Sequence, residues 1–138
     1  MIGSILPLTG DGASYGKEIK NGIDLAVEQE NERGGVSGRK IAVRYEDSAG
    51  DPKQAVSAMQ KILAQYRPQS IIGDAFSSPA LAIAPIANRE KIVMISPTAS
   101  SPKLTPPGQP ATGFRGGLSR CSSSYPSRAR AEEDRAGH

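Results

Sequence analysis

Two stretches of this sequence concentrate groups able to hold a small polar ligand. Ser77 and Ser78 precede Pro79 in DAFSSPALAIAPIANR, and Thr98, Ala99, Ser100 and Ser101 follow Pro97 in ISPTASSPKL. Where a strand runs into a helix, the first N–H groups have no intrahelical partner and the positive end of the dipole lies beside them, so an anion is favoured. Tyr15, in PLTGDGASYGKEI, adds an apolar ring with a phenol tip. Together these groups suit a carboxylate or an amide on a small molecule. Taken singly, Ser78 reads more simply as a helix cap and Ser96-Pro97 as a turn; the three segments together favour a site.

The chemistry offered is binding, not bond-breaking. His138 is the only histidine and the last residue, and Cys121 is the only cysteine. That argues against a Ser-His-Asp triad, a His-based zinc site, an intrachain disulfide and a multi-cysteine metal centre. No metal and no cofactor is expected. Two features do mimic an enzyme. The run Gly10-Asp11-Gly12-Ala13-Ser14-Tyr15-Gly16 resembles a dinucleotide fingerprint, but it places three residues before its last glycine where the fingerprint has two. Glu46-Asp47 could stand as a ribose-binding acid, at a longer spacing than that motif uses. Adjacent acids in a strand point to opposite faces, so Glu46-Asp47 reads as solvated charge, as does Glu132-Glu133. A nucleotide-dependent α/β enzyme using the Gly10–Gly16 loop remains the alternative.

The elements that would position these groups alternate. Met1–Leu6 is a short apolar run ending at Pro7, and Lys40–Asp47 alternates Ile41, Val43 and Tyr45 with polar residues, so both read as strands. Ser70–Gly73 and Lys91–Ile95 supply two more. Between them, Tyr15–Arg33 carries Ile19, Gly22, Ile23, Ala26 and Val27 at helical spacing and stops at Gly34-Gly35. A second helix is capped by Asp51 with Pro52 at its first position, and buries Ala55, Val56, Met59, Ile62, Leu63 and Tyr66. A third is capped by Ser78, opened by Pro79 and interrupted by Pro85, with Ala80, Ile83, Ala84 and Ala87 inward. This alternation predicts an α/β fold: a Rossmann-like parallel sheet with flanking helices. Ligands of such sheets bind beyond the carboxyl ends of the strands. That edge gathers Leu8–Tyr15, Asp74–Pro79 and Ser96–Ser101.

Composition divides the chain. Its 138 residues allow one domain or one lobe of a larger protein. The net charge of +3 is too small to argue for nucleic acid, and no apolar run approaches the roughly eighteen residues of a membrane span. Residues 1–108 form the body. Residues 109–138 hold five arginines, no lysine and three acids among Ser, Gly and Ala, with apolar residues at no regular period. The tail is expected to be disordered, because it lacks the apolar surface that would offset its ordering entropy.

Four strings in order, PLTGDGASYG, NERGGVSGRKI, DSAGDPKQAV and IIGDAFSSPALAIAPIANREKIVMISPTASSPKLT, resemble the solute-binding proteins of ABC transporters, in the branch that binds branched-chain amino acids and amides. The resemblance spans about residues 2–108. It implies lobe one of a type I periplasmic-binding fold, with a small amino-acid or amide ligand and an ABC permease as partners and no catalysis. It further implies that Ser77 and the hydroxyl and backbone at Ser100 hold the ligand's α-carboxylate. The backbone carbonyl of Thr98, with Ser100, would meet the ammonium, Ala99 would add a backbone contact, and Tyr15 would line the cleft. The family has a second lobe, with an acid facing the ammonium, for which this chain is too short. Past Gly108 the text departs from the family, and the GC-rich codons of its residues suggest a shifted reading frame. Met1 falls inside the first strand with no signal peptide before it. The family implies the periplasm, whereas the chain as written would remain in the cytoplasm. Weak or no ligand binding is expected of this truncated form. A third reading, the ligand-sensing domain of a receptor, shares the fold.

Overall fold

The computed structural model describes residues 1–104 and the backbone of Phe114–Arg115. Chain order is β1 (Ile2–Leu6), α1 (Ala13–Glu32), β2 (Val43–Asp47), α2 (Pro52–Tyr66), β3 (Ser70–Ile72), α3 (Ser77–Arg89), β4 (Val93–Ile95), a 3-10 turn (Pro102–Leu104) and β5 (Phe114–Arg115). The strands form one parallel sheet in the order β2-β1-β3-β4-β5. The four expected strands and three expected helices are all present. β5 is additional, and lies within the segment expected to be disordered. The rest of that segment, and the proposed frame shift, fall outside the described residues.

Local chemistry explains most boundaries. Asp51 accepts the Gln54 N–H at 3.0 Å and Pro52 opens α2, as its sequence requires. α1 ends at Glu32, and both Gly34 and Gly35 take positive φ to turn the chain. α3 departs from expectation. Its cap is Phe76, not Ser78, and Ser77 is its first residue. The reason is Asp74, whose Oδ1 accepts the Phe76 N–H at 2.9 Å and begins the helix early.

The core lies on one side of the sheet. Gly3, Ile5, Ile71 and Met94 alternate onto the face covered by α2 and α3, where they meet Ala55, Met59, Ile62, Ala80, Ile83 and Ala87. Gly3 is needed there, because a Cβ would come within 2.6 Å of Ile71 Cδ1. The opposite face is covered over β1, where Ser4 and Leu6 are fully buried, and less so toward β4. α1 lies over β2, where the Tyr45 hydroxyl donates to Asp24 at 2.6 Å and Lys20 sits 4.6 Å from the centre of the Tyr45 ring. Only Gly16 of α1 is buried. The expected inward stripe is only partly realised: Ile19, Ile23 and Val27 are half-buried, while Gly22 and Ala26 are exposed. On β4, Val93 and Ile95 are 46% and 48% exposed, because no described helix lies over them.

Candidate functional site at the carboxyl edge

From β1 the chain passes to β2 on one side, and β3 lies on the other. Sheets with such a reversal bind ligands beyond the carboxyl ends of the strands on either side of it, here β1 and β3. The loops after β1, β2, β3 and β4 meet there in a continuous hydrogen-bonded chain. Asp47 Oδ1 accepts N–H bonds from Leu8 at 2.8 Å, Thr9 at 3.2 Å and Ala49 at 2.8 Å, and its Oδ2 accepts the Thr9 hydroxyl. The Ser48 hydroxyl bonds the fully buried Asp74 carboxylate and accepts the Gly50 N–H. The Asp74 backbone carbonyl accepts the buried Ser96 hydroxyl at 2.8 Å, and the Ala75 carbonyl accepts the Thr98 hydroxyl at 2.7 Å. Ser96 Oγ in turn accepts the Ala99 N–H at 3.2 Å.

The two carboxylates in this chain titrate in opposite directions. Burial alone would raise the Asp47 pKa, but the Thr9 hydroxyl and the N–H groups of Ala49, Leu8 and Thr9 outweigh it and hold the group below its ordinary value. At Asp74 burial dominates and raises the pKa against the donors from Phe76, Ser48 and Ala75, with the Asp47 charge adding to the rise.

At the start of α3, the first intrahelical bond is Ala80 N–H to the Phe76 carbonyl. Pro79 has no N–H, and the Phe76 N–H is held by Asp74. Among the described residues, the donors left without a partner are therefore those of Ser77 and Ser78, which suit a carboxylate. Ser77 is half-buried, and Ser78, Thr98 and Ser100 are exposed. Ala99 is buried with its N–H committed to Ser96, so only its carbonyl is available to a ligand. The Thr98 hydroxyl has its proton committed to Ala75 and can still accept. Tyr15 is 60% exposed in the first turn of α1 and meets Phe76 edge-to-face, with ring centres 6.2 Å apart at 72°.

Sequence reasoning missed Phe76, Ser48 and Asp74. It read Glu46-Asp47 as solvated charge. The two do face opposite ways, but Glu46 pairs with Lys61 at 2.8 Å and Asp47 ties down the loop after β1. The enzyme-like features are also taken up internally. A Cβ on Gly12 would come within 2.4 Å of Phe76 Cε2, and one on Gly16 within 2.0 Å of the Pro7 carbonyl oxygen. These glycines admit the protein's own ring and backbone. Asp47 spends its oxygens on Leu8, Thr9 and Ala49, where a ribose-binding acid would keep them for the ligand. Among the described residues there is no cluster of three potential metal ligands. No helix among them is long and apolar enough to cross a membrane.

A parallel sheet in this strand order with helices on both faces defines a lobe of a type I periplasmic-binding fold. Residues 1–115 match the periplasmic binding protein family, and the chain belongs to it. The Leu/Ile/Val-binding protein BraC3 of Rhizobium johnstonii is 38% identical over 107 residues, which cover 78% of this chain and 29% of that protein. The branched-chain amino acid transporter substrate-binding protein LivJ of Streptococcus pneumoniae, solved with isoleucine, superposes with a TM-score of 0.77 at 27% identity, over 84% of this chain and 32% of its own. An ABC-transporter solute-binding protein of Rhodopseudomonas palustris, solved with 3,4-dihydroxybenzoic acid, gives 0.67 at 33% identity, over 72% and 27%. The chain thus spans about 30% of the length of these relatives.

Proposed function

We propose that this chain supplies one wall of the ligand site of an ABC importer's substrate-binding protein, and that the ligand is a small amino acid or amide held by its carboxylate or carbonyl. The observation that carries this reading is the pair of N–H donors of Ser77 and Ser78, which have no partner among the described residues, at the carboxyl edge of the sheet. Isoleucine and dihydroxybenzoic acid, the ligands of two relatives, share a carboxylate and little else. Ser77 and Ser100 hold that group, the Thr98 carbonyl with Ser100 receives an ammonium, Ala99 contributes its carbonyl, and Tyr15 lines the wall. The site binds and releases its ligand unchanged. The protein would act in the periplasm and dock on an ABC permease, a reading supported by the periplasmic binding protein family and by relatives described as ABC-transporter proteins.

Affinity follows from the open geometry. Three or four hydrogen bonds in contact with water contribute about 0.5–1.5 kcal/mol each. The sum is a few kcal/mol before the cost of association is subtracted, which corresponds to roughly millimolar binding or weaker. Calorimetric titration with isoleucine, leucine, glutamate, a short amide and NAD is the test. The expected result is weak binding of an amino acid or amide, lost in Ser77→Pro, which removes the backbone donor at the first helical position, and weakened in Ser100→Ala, with none for NAD. Binding of NAD in preference to every amino acid, or amino-acid binding indifferent to both substitutions, would overturn the assignment.

A further inference from the structure

Asp74 is a fully buried carboxylate where the loops of the carboxyl edge converge. Its Oδ1 accepts the Phe76 N–H at 2.9 Å, one residue before the donors of Ser77 and Ser78. Its Oδ2 accepts the Ser48 hydroxyl from the loop after β2, and its backbone carbonyl accepts the Ser96 hydroxyl from the loop after β4 at 2.8 Å. One residue thus sets the start of α3 against both neighbouring loops. A buried carboxylate is ordinarily paired with a cation. None of the ion pairs among the described residues involves Asp74. The charged group that faces it is another acid, Asp47, next to Ser48 in the loop after β2. Charges on the other elements packed here stand away from it. Asp11 after β1 and Lys103 after β4 are exposed, Asp51 is committed to the first turn of α2, and α3 has no charged residue before Arg89. A ligand carboxylate on the next amides would add a second like charge beside Asp74.

We propose that Asp74 is the positioning residue of the carboxylate site, and that the site takes up a proton on Asp74 as it takes an anion. The inference rests on the carboxylate-binding reading above and adds its regulation. The proton comes from water and sits on Oδ2, where Ser48 Oγ turns from donor to acceptor. Oδ1 can keep the Phe76 N–H in either state, so α3 stays in place and only the charge behind its first amides changes. Protonated Asp74 leaves the Ser77 and Ser78 donors to the ligand, whereas ionised Asp74 repels it. Burial already raises the Asp74 pKa, which brings the proton within reach of mildly acid solution. Anion affinity should therefore fall about three- to tenfold as pH rises through the Asp74 titration, and level off beyond it.

N-acetylisoleucine and its amide isolate the effect. They share one body, and only the first is an anion, ionised above about pH 4.5. Amide NMR titrations of the 138-residue chain from about pH 4.5 to about pH 8 read both affinities. The expected result is that N-acetylisoleucine binds more tightly at the acid end and that its amide binds equally at both. Asp74→Asn keeps an acceptor for the Phe76 N–H and removes the charge. At the alkaline end it should bind N-acetylisoleucine about three- to tenfold more tightly than the unaltered chain, with no pH dependence. A residue that only held the loops together would lose affinity on substitution, not gain it. Should Asp74→Asn fail to fold, the carboxyl-carbon shift of Asp74 in the unaltered chain gives the same reading. Its titration midpoint should rise when N-acetylisoleucine saturates the site and stay unmoved with the amide. An affinity indifferent to pH, an Asp74→Asn chain that binds no tighter, or a midpoint indifferent to the anion would overturn the proposal. If N-acetylisoleucine moves the Ser77 and Ser78 amides equally at every pH, the proton coupling falls and the carboxylate site stands. If it moves them at no pH, both fall.

Discussion

Two glycines in α1 should respond to the same substitution with opposite signs. Gly16 is buried against the loop after β1, and a Cβ there would lie 2.0 Å from the Pro7 carbonyl oxygen and 2.7 Å from its carbon. Both atoms are backbone, so no side chain can swing aside. Relief requires the first turn of α1 to move by more than about 1 Å, and overpacking of this kind costs about 1–3 kcal/mol. Gly22, two turns on, is exposed and has nothing within 4 Å of its added Cβ. Alanine there only improves the helix, by about 0.5–1 kcal/mol. Gly16→Ala and Gly22→Ala should thus differ in stability by about 1.5–4 kcal/mol. Urea denaturation followed by circular dichroism reads the difference as a midpoint separation of roughly 1–2 M, given a slope of about 2 kcal/mol per molar. The displacement should also carry Tyr15 away from Phe76, so their ring-current shifts should weaken in Gly16→Ala alone. If Gly16→Ala were as stable as Gly22→Ala, with those shifts intact, the docking of α1 on Pro7 would be wrong.

The edge network gives further tests. Asp47, held below the ordinary value of 3.8, contributes stability that is present above that value and is lost as pH falls through its folded pKa; Asp47→Asn should flatten this acid limb of a urea-midpoint profile, and an unchanged limb would contradict the bonds to Leu8, Thr9 and Ala49. Asp74 has the opposite sign, since its pKa is raised: the unfolded chain releases its proton first, so native stability falls as pH rises from 3.8 toward the folded value, and Asp74→Asn should remove that slope. Ser4 buries a hydroxyl with no partner among the described residues, so Ser4→Ala should hold or raise stability by up to about 1 kcal/mol, and a clear loss would reveal a missing contact. Asp51→Ala should cost about 0.5–2 kcal/mol through the lost cap on Gln54, and an unshifted midpoint would deny the cap its role.

The α/β alternation and the carboxyl edge were legible because they rest on local signals. Pro52 after Asp51, the glycines after α1 and the helical spacing of Met59, Ile62, Ala80 and Ile83 each report their neighbours in the chain. The edge rule then placed Tyr15, Ser77 and Ser100 on one rim without any pairwise contact being known. What stayed hidden depends on distant partners. Asp47 reaches back 38 and 39 residues to Thr9 and Leu8, and Ser48 reaches forward 26 to Asp74. No periodicity marks such pairs. The early start of α3 has the same origin, because the Asp74 side chain replaced the expected Ser78 cap. The stripe on α1 misled, since Gly22 and Ala26 have the right spacing but face open solvent. Phe76 gave no signal at all. A single aromatic before two serines becomes meaningful only once Gly12, Gly50 and Tyr15 surround it.

The central claim is that the start of α3 and the loop after β4 hold a carboxylate together. Amide NMR of the labelled chain at a saturating concentration of isoleucine tests it most directly. The account predicts that the largest shifts fall on Ser77, Ser78, Thr98 and Ser100, and that they follow a single binding curve. Shifts centred elsewhere, or an edge that stays still while isoleucine binds, would contradict it.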